Sequence, residues 1–212
     1  MNDPVSKYFS TLPPSQQDIL KRLEALYKEW NTRVNLVSRK DIDNFVLHHI
    51  IHSLSVYRLI RFNPGTRILD AGTGGGLPGI PLAIVFPQCS FTLADSVRKK
   101  INIVKEIKQE LKLDNIEARW TRVEDMQESY DFVVSRAVTA FPELLRWTGK
   151  LIRRTSFNEL PNGIIALKGG DLSSELAGFK KHRIWKLEDY FDEEYFRGKK
   201  IVYLPVRNKT AG

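Results

Sequence analysis

The chain has 212 residues, 42% hydrophobic and 27% charged, which allows one substantial core and argues against a second full domain. No window reaches the apolar length of a spanning helix, and the opening MNDPVSKYFS lacks the apolar run of a secretory signal, so a cytoplasmic protein without a membrane role is expected. A single cysteine, Cys89, excludes an intrachain disulfide and a thiolate zinc cluster, and a net charge of +8 favours acidic partners.

The predicted elements begin with SQQD at residues 15–18, which has capping-box spacing. Ile19, Leu20, Leu23, Leu26, Tyr27 and Trp30 recur at helical spacing, predicting an amphipathic helix over 16–30. A polar link, NTRVNLVSRKD, leads to a second apolar pattern through Phe45, Val46, Ile50, Leu54 and Tyr57, so residues 1–62 read as a helical extension. Residues 63–212 read as one α/β unit. Strands are predicted at 67–70, 90–94, 117–121, 131–135 and 163–167, with helical stretches at 79–86, 97–110, about 142–154 and 171–178. This alternation implies a mostly parallel sheet with right-handed crossovers. Beyond residue 180, HRIWKLEDYF and RGKKIVYLPV are strand-like runs with no room for a helix between them, predicted to pair antiparallel at a sheet edge. Cys89, in FPQCSFTLAD, is expected to be a small buried hydrophobe.

Asp70 ends the first strand and the loop AGTGGGLPG follows. Gly74, Gly76 and Gly79 satisfy G-x-G-x-x-G, but late: in the dinucleotide fingerprint the first glycine turns directly off the strand, and that place belongs to Gly72. No Lys-Ser or Lys-Thr follows, and Pro78 has no amide to give a phosphate, though its fixed angle suits a first helical turn. The glycines allow a ligand to approach the backbone, and the next helix N-terminus offers amides to a carboxylate or phosphate. Asp95, closing the second strand, is placed to accept hydrogens from a ribose diol; the alternative is a tight structural turn with Asp95 capping the helix of DSVRKK. TRVED (121–125) and SRAV (135–138) follow the third and fourth strands, with Glu124 or Asp125 suited to an adenine amino group. A nicotinamide enzyme needs a substrate domain and a proton-transfer residue, for which there is little room. S-adenosylmethionine needs one sheet only. A methyltransferase is therefore favoured, with a nucleotide-cofactor oxidoreductase as the enzymatic alternative.

The residues WNTRVNLVSRKD, DAGTGGGLPGIPLAI, LADSVRKK, VEDM, VVSRAV and ALKGG together resemble the GidB/RsmG family of bacterial small-subunit ribosomal RNA guanine-N7 methyltransferases across nearly the whole chain. The resemblance implies a class I methyltransferase fold, Rossmann-like with a mostly parallel seven-stranded sheet, preceded by the N-terminal helical extension. It implies methyl transfer from S-adenosylmethionine to N7 of a guanine in the 530 loop of 16S ribosomal RNA. By matching position, Gly72, Leu77, Val123, Glu124 and Arg136 are implied cofactor residues, and Asp95 matches the ribose-side acid; Gly74 and Gly76 complete the expected glycine cradle. Where the family has Arg-His-x-x-Asp-Ser, this chain has HHIIHS: His49 matches the family's His, while His48 and His52 replace the Arg and Asp.

Guanine N7 carries an in-plane lone pair and no proton, so no general base is expected, and positioning becomes the main task. Arg136 leaves an apolar strand, and its charge needs a partner: the cofactor carboxylate, an RNA phosphate or a structural acid. Asn35 is a candidate for a guanine edge or for its own turn, and Arg39 and Lys40 are candidates for phosphate contacts. Lys168 reads as an RNA contact or a solvated strand end, and His49 as RNA-facing or a core hydrogen-bonding group. His48 and His52 are four apart, but with no nearby Cys and no H-E-x-x-H no metal is expected.

Charge is uneven: 9 basic and 6 acidic residues over 1–64, 10 and 11 over 65–145, 14 and 8 over 146–212. A small ligand in the neutral middle with a polyanion against both flanks fits this distribution. Arg153 and Arg154, then Lys180, Lys181 and Arg183, then Arg197, Lys199 and Lys200 are expected to flank the pocket; Tyr190, Tyr195 and Phe196 stack on bases or complete the core. The expected partner is 16S ribosomal RNA or the small subunit, with no DNA, and the protein is expected to be a monomer. A non-catalytic RNA-binding assembly protein shares the same basic surface and is separated only by methyl transfer.

Overall fold

Apolar segments of strand length alternating with amphipathic helices build a single sheet in the computed structural model, which describes residues 3–34, 36–38 and 41–206. The strands are β1 (Arg67–Ala71), β2 (Ser90–Asp95), β3 (Ile116–Trp120), β4 (Phe132–Arg136), β5 (Gly163–Gly169), β6 (Arg183–Lys186) and β7 (Lys199–Pro205). Their order is β3-β2-β1-β4-β5-β7-β6. The first five pair in parallel, whereas β7 lies antiparallel between β5 and β6. The predicted C-terminal strand pair is thus present, with β6 on the edge.

Side chains alternate across the strands, so Ile68 and Phe132 face one layer while Leu69 and Val133 face the other. The first layer holds α4 (Gly79–Val85), α5 (Arg98–Glu110) and the N-terminal helices; the second holds α6 (Phe141–Thr148) and the four-residue α7 (Ser173–Leu176). The N-terminal helices are α1 (Pro4–Tyr8), α2 (Pro14–Asn31) and α3 (His52–Leu59), the last preceded by a wider π-helical turn over Val46–Ile51. Val5, Leu20, Leu23, Phe45 and Ile50 are buried in the same cluster as Ile68, Leu82 and Phe132, so extension and sheet share a core. Among the described residues no helix is long and apolar enough to cross a membrane.

Two local expectations change. α2 begins at Pro14, and Ser15 lies inside its first turn without a side-chain cap bond, so the SQQD capping box does not form. Proline has no amide to leave unpaired and its φ suits the first helical position, so the helix starts earlier. The helix expected to reach residue 154 stops at Thr148, tightens into a 3-10 turn over Gly149–Leu151, and gives way at Ile152 to a bridge with Tyr130.

The chain winds from β1 outward through β2 to β3, then returns to β4 on the other side of β1. The carboxyl ends of β1 and β4 therefore diverge, and open α/β sheets bind their ligands at that switch point.

Candidate active site

A cavity of about 500 Å³ opens at this switch point, floored by Ala71, Gly72, Thr73 and Gly74 and flanked by Asp95, Val123, Glu124 and Arg136. Leu77, Val138, Trp147 and, from the N-terminal extension, Leu36 close its sides. Gly72, Gly74, Leu77, Asp95, Val123, Glu124 and Arg136, all singled out in the sequence, are therefore brought to one hollow. Gly76, Lys168, His49 and Asp125 do not line it. Asn35, Arg39 and Lys40 lie outside the described residues.

The glycine loop owes its shape to Asp70. This carboxylate is fully buried, and its Oδ2 accepts hydrogen bonds from the Thr73 hydroxyl at 2.6 Å and the Gly79 amide at 2.8 Å. Its Oδ1 is buried without a hydrogen-bond partner among the described residues, and burial pushes the pKa up to about 7. Since Asp70 takes the first amide of α4, and the Ile80 amide bonds to the Gly76 carbonyl, this helix start does not offer the anion site expected from the sequence. Gly72 adopts φ +68°, and a Cβ there would lie 2.7 Å from Val138 Cγ2, so the cavity floor requires glycine. Gly76 serves packing: a Cβ there would run into Ile80 Cδ1.

Asp95 performs two tasks at once. Oδ2 accepts the Gly74 amide at 2.8 Å and Oδ1 accepts the Val97 amide at 2.8 Å, so one carboxylate ties the glycine loop to the turn entering α5. Each oxygen retains a lone pair. The helix itself starts at Arg98 after Val97, so the Asp caps the turn rather than the helix.

Arg136, at the end of β4, carries its guanidinium to the wall of the cavity. One nitrogen lies 2.7 Å from His49 Nδ1 and another donates to the His48 carbonyl at 3.3 Å. Among the described residues no carboxylate lies within ion-pair distance of it, and burial lowers its pKa while leaving an arginine charged. His49 is buried and stacked on Phe45, and its Nε2 lies 2.6 Å from Asp41. Burial, then the Arg136 charge, push His49 down to about 4, so the ring is neutral. Asp41 must therefore receive the Nε2 hydrogen, which leaves the Nδ1 lone pair for Arg136.

His48 also bonds to Asp41 and stacks on Tyr195 at 3.8 Å between centroids. His52 is buried; its Nδ1 lies 3.1 Å from the Tyr195 hydroxyl, and its Nε2 has no hydrogen-bond partner among the described residues. Burial holds His52 well below the usual histidine range. Tyr195 and Phe196 thus pack into this aromatic cluster, and Phe196 is fully buried. They complete the interior rather than present faces to bases.

Lys168 Nζ donates to the Thr139 carbonyl at 2.5 Å and pairs with Glu175 at 3.1 Å, while Glu175 accepts the Phe141 amide at 2.6 Å. The pair braces the loop after β4, in which Ala137 sits at φ +54°, a region costly for a residue with a Cβ. Lys180, Lys181 and Arg183 lie outside the cavity because β6 is four places from β1, about 19 Å at the usual strand spacing. Arg153 and Arg154 lie at the opposite end of the strands.

Sequence reasoning missed four contributors. Tyr27 donates to the Gly75 carbonyl and Leu36 packs against Gly75, so the extension clamps the glycine loop. Asp41 sits behind His49, and Val138 fills the space over Gly72. Tyr27 reads as a core residue in a helical pattern and Leu36 as part of the polar link; nothing local marks either as reaching a loop so distant in sequence.

A class I methyltransferase is defined by this sheet order and switch-point hollow. Solved structures share this fold: an S-adenosylmethionine-dependent O-methyltransferase from Thermotoga maritima has TM-score 0.55 at 9% identity, covering 74% of this chain and 65% of that one. A SAM-dependent methyltransferase from Aquifex aeolicus has TM-score 0.53 at 16% identity, covering 77% and 93%. The chain belongs to the GidB family, rRNA small subunit methyltransferase G, whose model matches residues 16–195. Relatives described as ribosomal RNA small subunit methyltransferase G are 49% identical in Christiangramia forsetii (97% of both chains) and 48% identical in Porphyromonas gingivalis (95% of this chain, 92% of that one). The protein is an S-adenosylmethionine-dependent methyltransferase.

Proposed function

We propose that the protein transfers the methyl group of S-adenosylmethionine to N7 of a guanine in the 530 loop of 16S ribosomal RNA. The observation carrying this reading is that the half-buried guanidinium residue Arg136, with no carboxylate of the described residues within ion-pair distance, lines the same glycine-floored hollow as Asp95 and Glu124. That separation of charge suits a zwitterionic amino acid linked to a nucleoside: Arg136 faces the carboxylate, Asp95 the ribose diol, and Val123 and Glu124 the adenine. The cofactor supplies an electrophilic methyl on a sulfonium.

The chain's own residues orient and shield. Gly72 and Gly74 give close backbone approach, and Leu36, Leu77 and Val138 exclude water from the cavity wall. His49 holds Arg136 by its lone pair, Asp41 fixes the tautomer of His49, and Lys168 braces the loop carrying Val138. With N7 unprotonated in guanine, no residue needs to remove a proton, so alignment carries the reaction.

Incubation of the protein with labelled S-adenosylmethionine and small-subunit RNA from cells lacking the modification tests this reading. Label mapped to N7 of one guanine in the 530 loop is expected; no incorporation into RNA or subunits overturns it.

A further inference from the structure

At the amino ends of β1 and β4, the far end of the strands from the cofactor cavity, lies a second hollow of about 790 Å³. Arg67, Lys150, Arg153 and Arg154 line it together with Phe157. Its two acids are already engaged. Asp131 is fully buried, accepts the Arg67 amide at 2.8 Å and lies 3.6 Å from Arg153; Glu128 is paired with Arg119. Four cations thus meet two acids, and although Lys150 Nζ also donates to the Glu124 carbonyl at 2.6 Å, positive charge is in excess.

The loop bearing Arg153, Arg154 and Phe157 is held at several points. Asn158 Oδ1 accepts the Asn63 amide at 2.8 Å and the Thr66 hydroxyl at 2.9 Å, and Asn63 Nδ2 donates to the Phe157 carbonyl at 2.7 Å. Buried Asn162 donates to the carbonyls of Arg153 and Thr155 at 3.1 and 2.8 Å. Despite this anchoring, Phe157 is 50% exposed. A fixed backbone presenting an open aromatic ring among arginines loses little entropy on binding, and it combines phosphate recognition with base stacking.

We propose that this groove is a second RNA-docking surface, in which Arg153, Arg154 and Lys150 engage phosphates of a single-stranded segment and Phe157 stacks on one of its unpaired bases. The proposal rests on ribosomal RNA being the substrate and extends it by assigning where RNA beyond the methylated loop is held. β1 spans about 16 Å from one hollow to the other, a distance a large folded RNA bridges readily.

The test uses R154A and F157A in the full chain, both at exposed side chains outside the cofactor site. Dissociation constants for deproteinised small-subunit RNA are measured across a salt series, with kcat, KM for RNA and affinity for S-adenosylmethionine alongside. F157A is expected to weaken RNA binding and raise its KM by about tenfold, the effect of losing one stacked base. R154A is expected to weaken binding and to reduce the slope of log affinity against log salt by about 0.7 to 0.9. kcat and cofactor affinity stay within about twofold, since neither side chain approaches the reaction. Both variants binding RNA as tightly as the wild type, or a wild type that does not bind RNA, overturns the groove. A wild type that binds RNA through it without methylating any guanine overturns the proposed reaction and leaves the groove standing.

Discussion

His49 Nδ1 lies 2.7 Å from a guanidinium nitrogen of Arg136, while the other imidazole nitrogen lies 2.6 Å from Asp41. Histidine here is an acceptor, held in one tautomer from behind, and the arginine it steadies lines the cavity. Removing the ring should free the arginine without unmaking the sheet. H49A is expected to raise the KM for S-adenosylmethionine by about tenfold to a hundredfold, the range for losing a hydrogen bond to a charged group. D41N, which retains an oxygen to accept the Nε2 hydrogen, should show a smaller rise; equal cofactor affinity in wild type and H49A would exclude the arrangement.

Arg136 itself should be more sensitive. R136A is expected to retain the fold by circular dichroism while losing most methyl transfer, and R136K to recover little, because an ammonium cannot meet both the imidazole and a carboxylate with a planar fork. Unchanged cofactor binding by calorimetry together with unchanged turnover would remove it from the site.

Gly72 offers a steric test. G72A places a methyl 2.7 Å from Val138 Cγ2 on a backbone at φ +68°, so it should bind the cofactor poorly and be destabilised by about 1 to 2 kcal/mol from the backbone alone. Adding V138A relieves the contact but not the backbone, and partial recovery of melting temperature is expected.

Asp70 predicts a pH dependence of stability. Its pKa rises from 3.8 in the unfolded chain to about 7 in the fold, so the native state holds the proton more tightly. The stability this contributes is complete below about pH 4 and is lost as pH rises toward 7. D70N keeps an acceptor for Thr73 and Gly79 without a charge to bury; its stability relative to the wild type should increase between pH 4 and 7 in urea titrations. Parallel curves would contradict the assignment.

Much of this was legible in the sequence, for identifiable reasons. Alternation of strand and helix lengths gave the parallel sheet, and RILDAGTGGG located the cavity floor because a strand followed by unsubstituted backbone has few other uses. Asp95, Glu124 and Arg136 could be placed because strand ends in such sheets converge. The placement of Lys168 and His49 was not legible: both are polar groups near strand or helix ends, and only three-dimensional packing shows one paired with Glu175 and the other wedged between Asp41 and Arg136. Likewise Tyr27 and Leu36 reach the glycine loop from 48 and 39 residues upstream of Gly75, too far for any local pattern to report.

The last strand among the described residues, β7, occupies an inner position, hydrogen-bonded to β5 on one side and β6 on the other. While a ribosome is still translating the preceding residues, β5 presents a raw border and β6 has nothing to join. Completion of the sheet therefore awaits emergence of residues 199–205, and a chain lacking them would leave β6 as well as β7 out of the sheet.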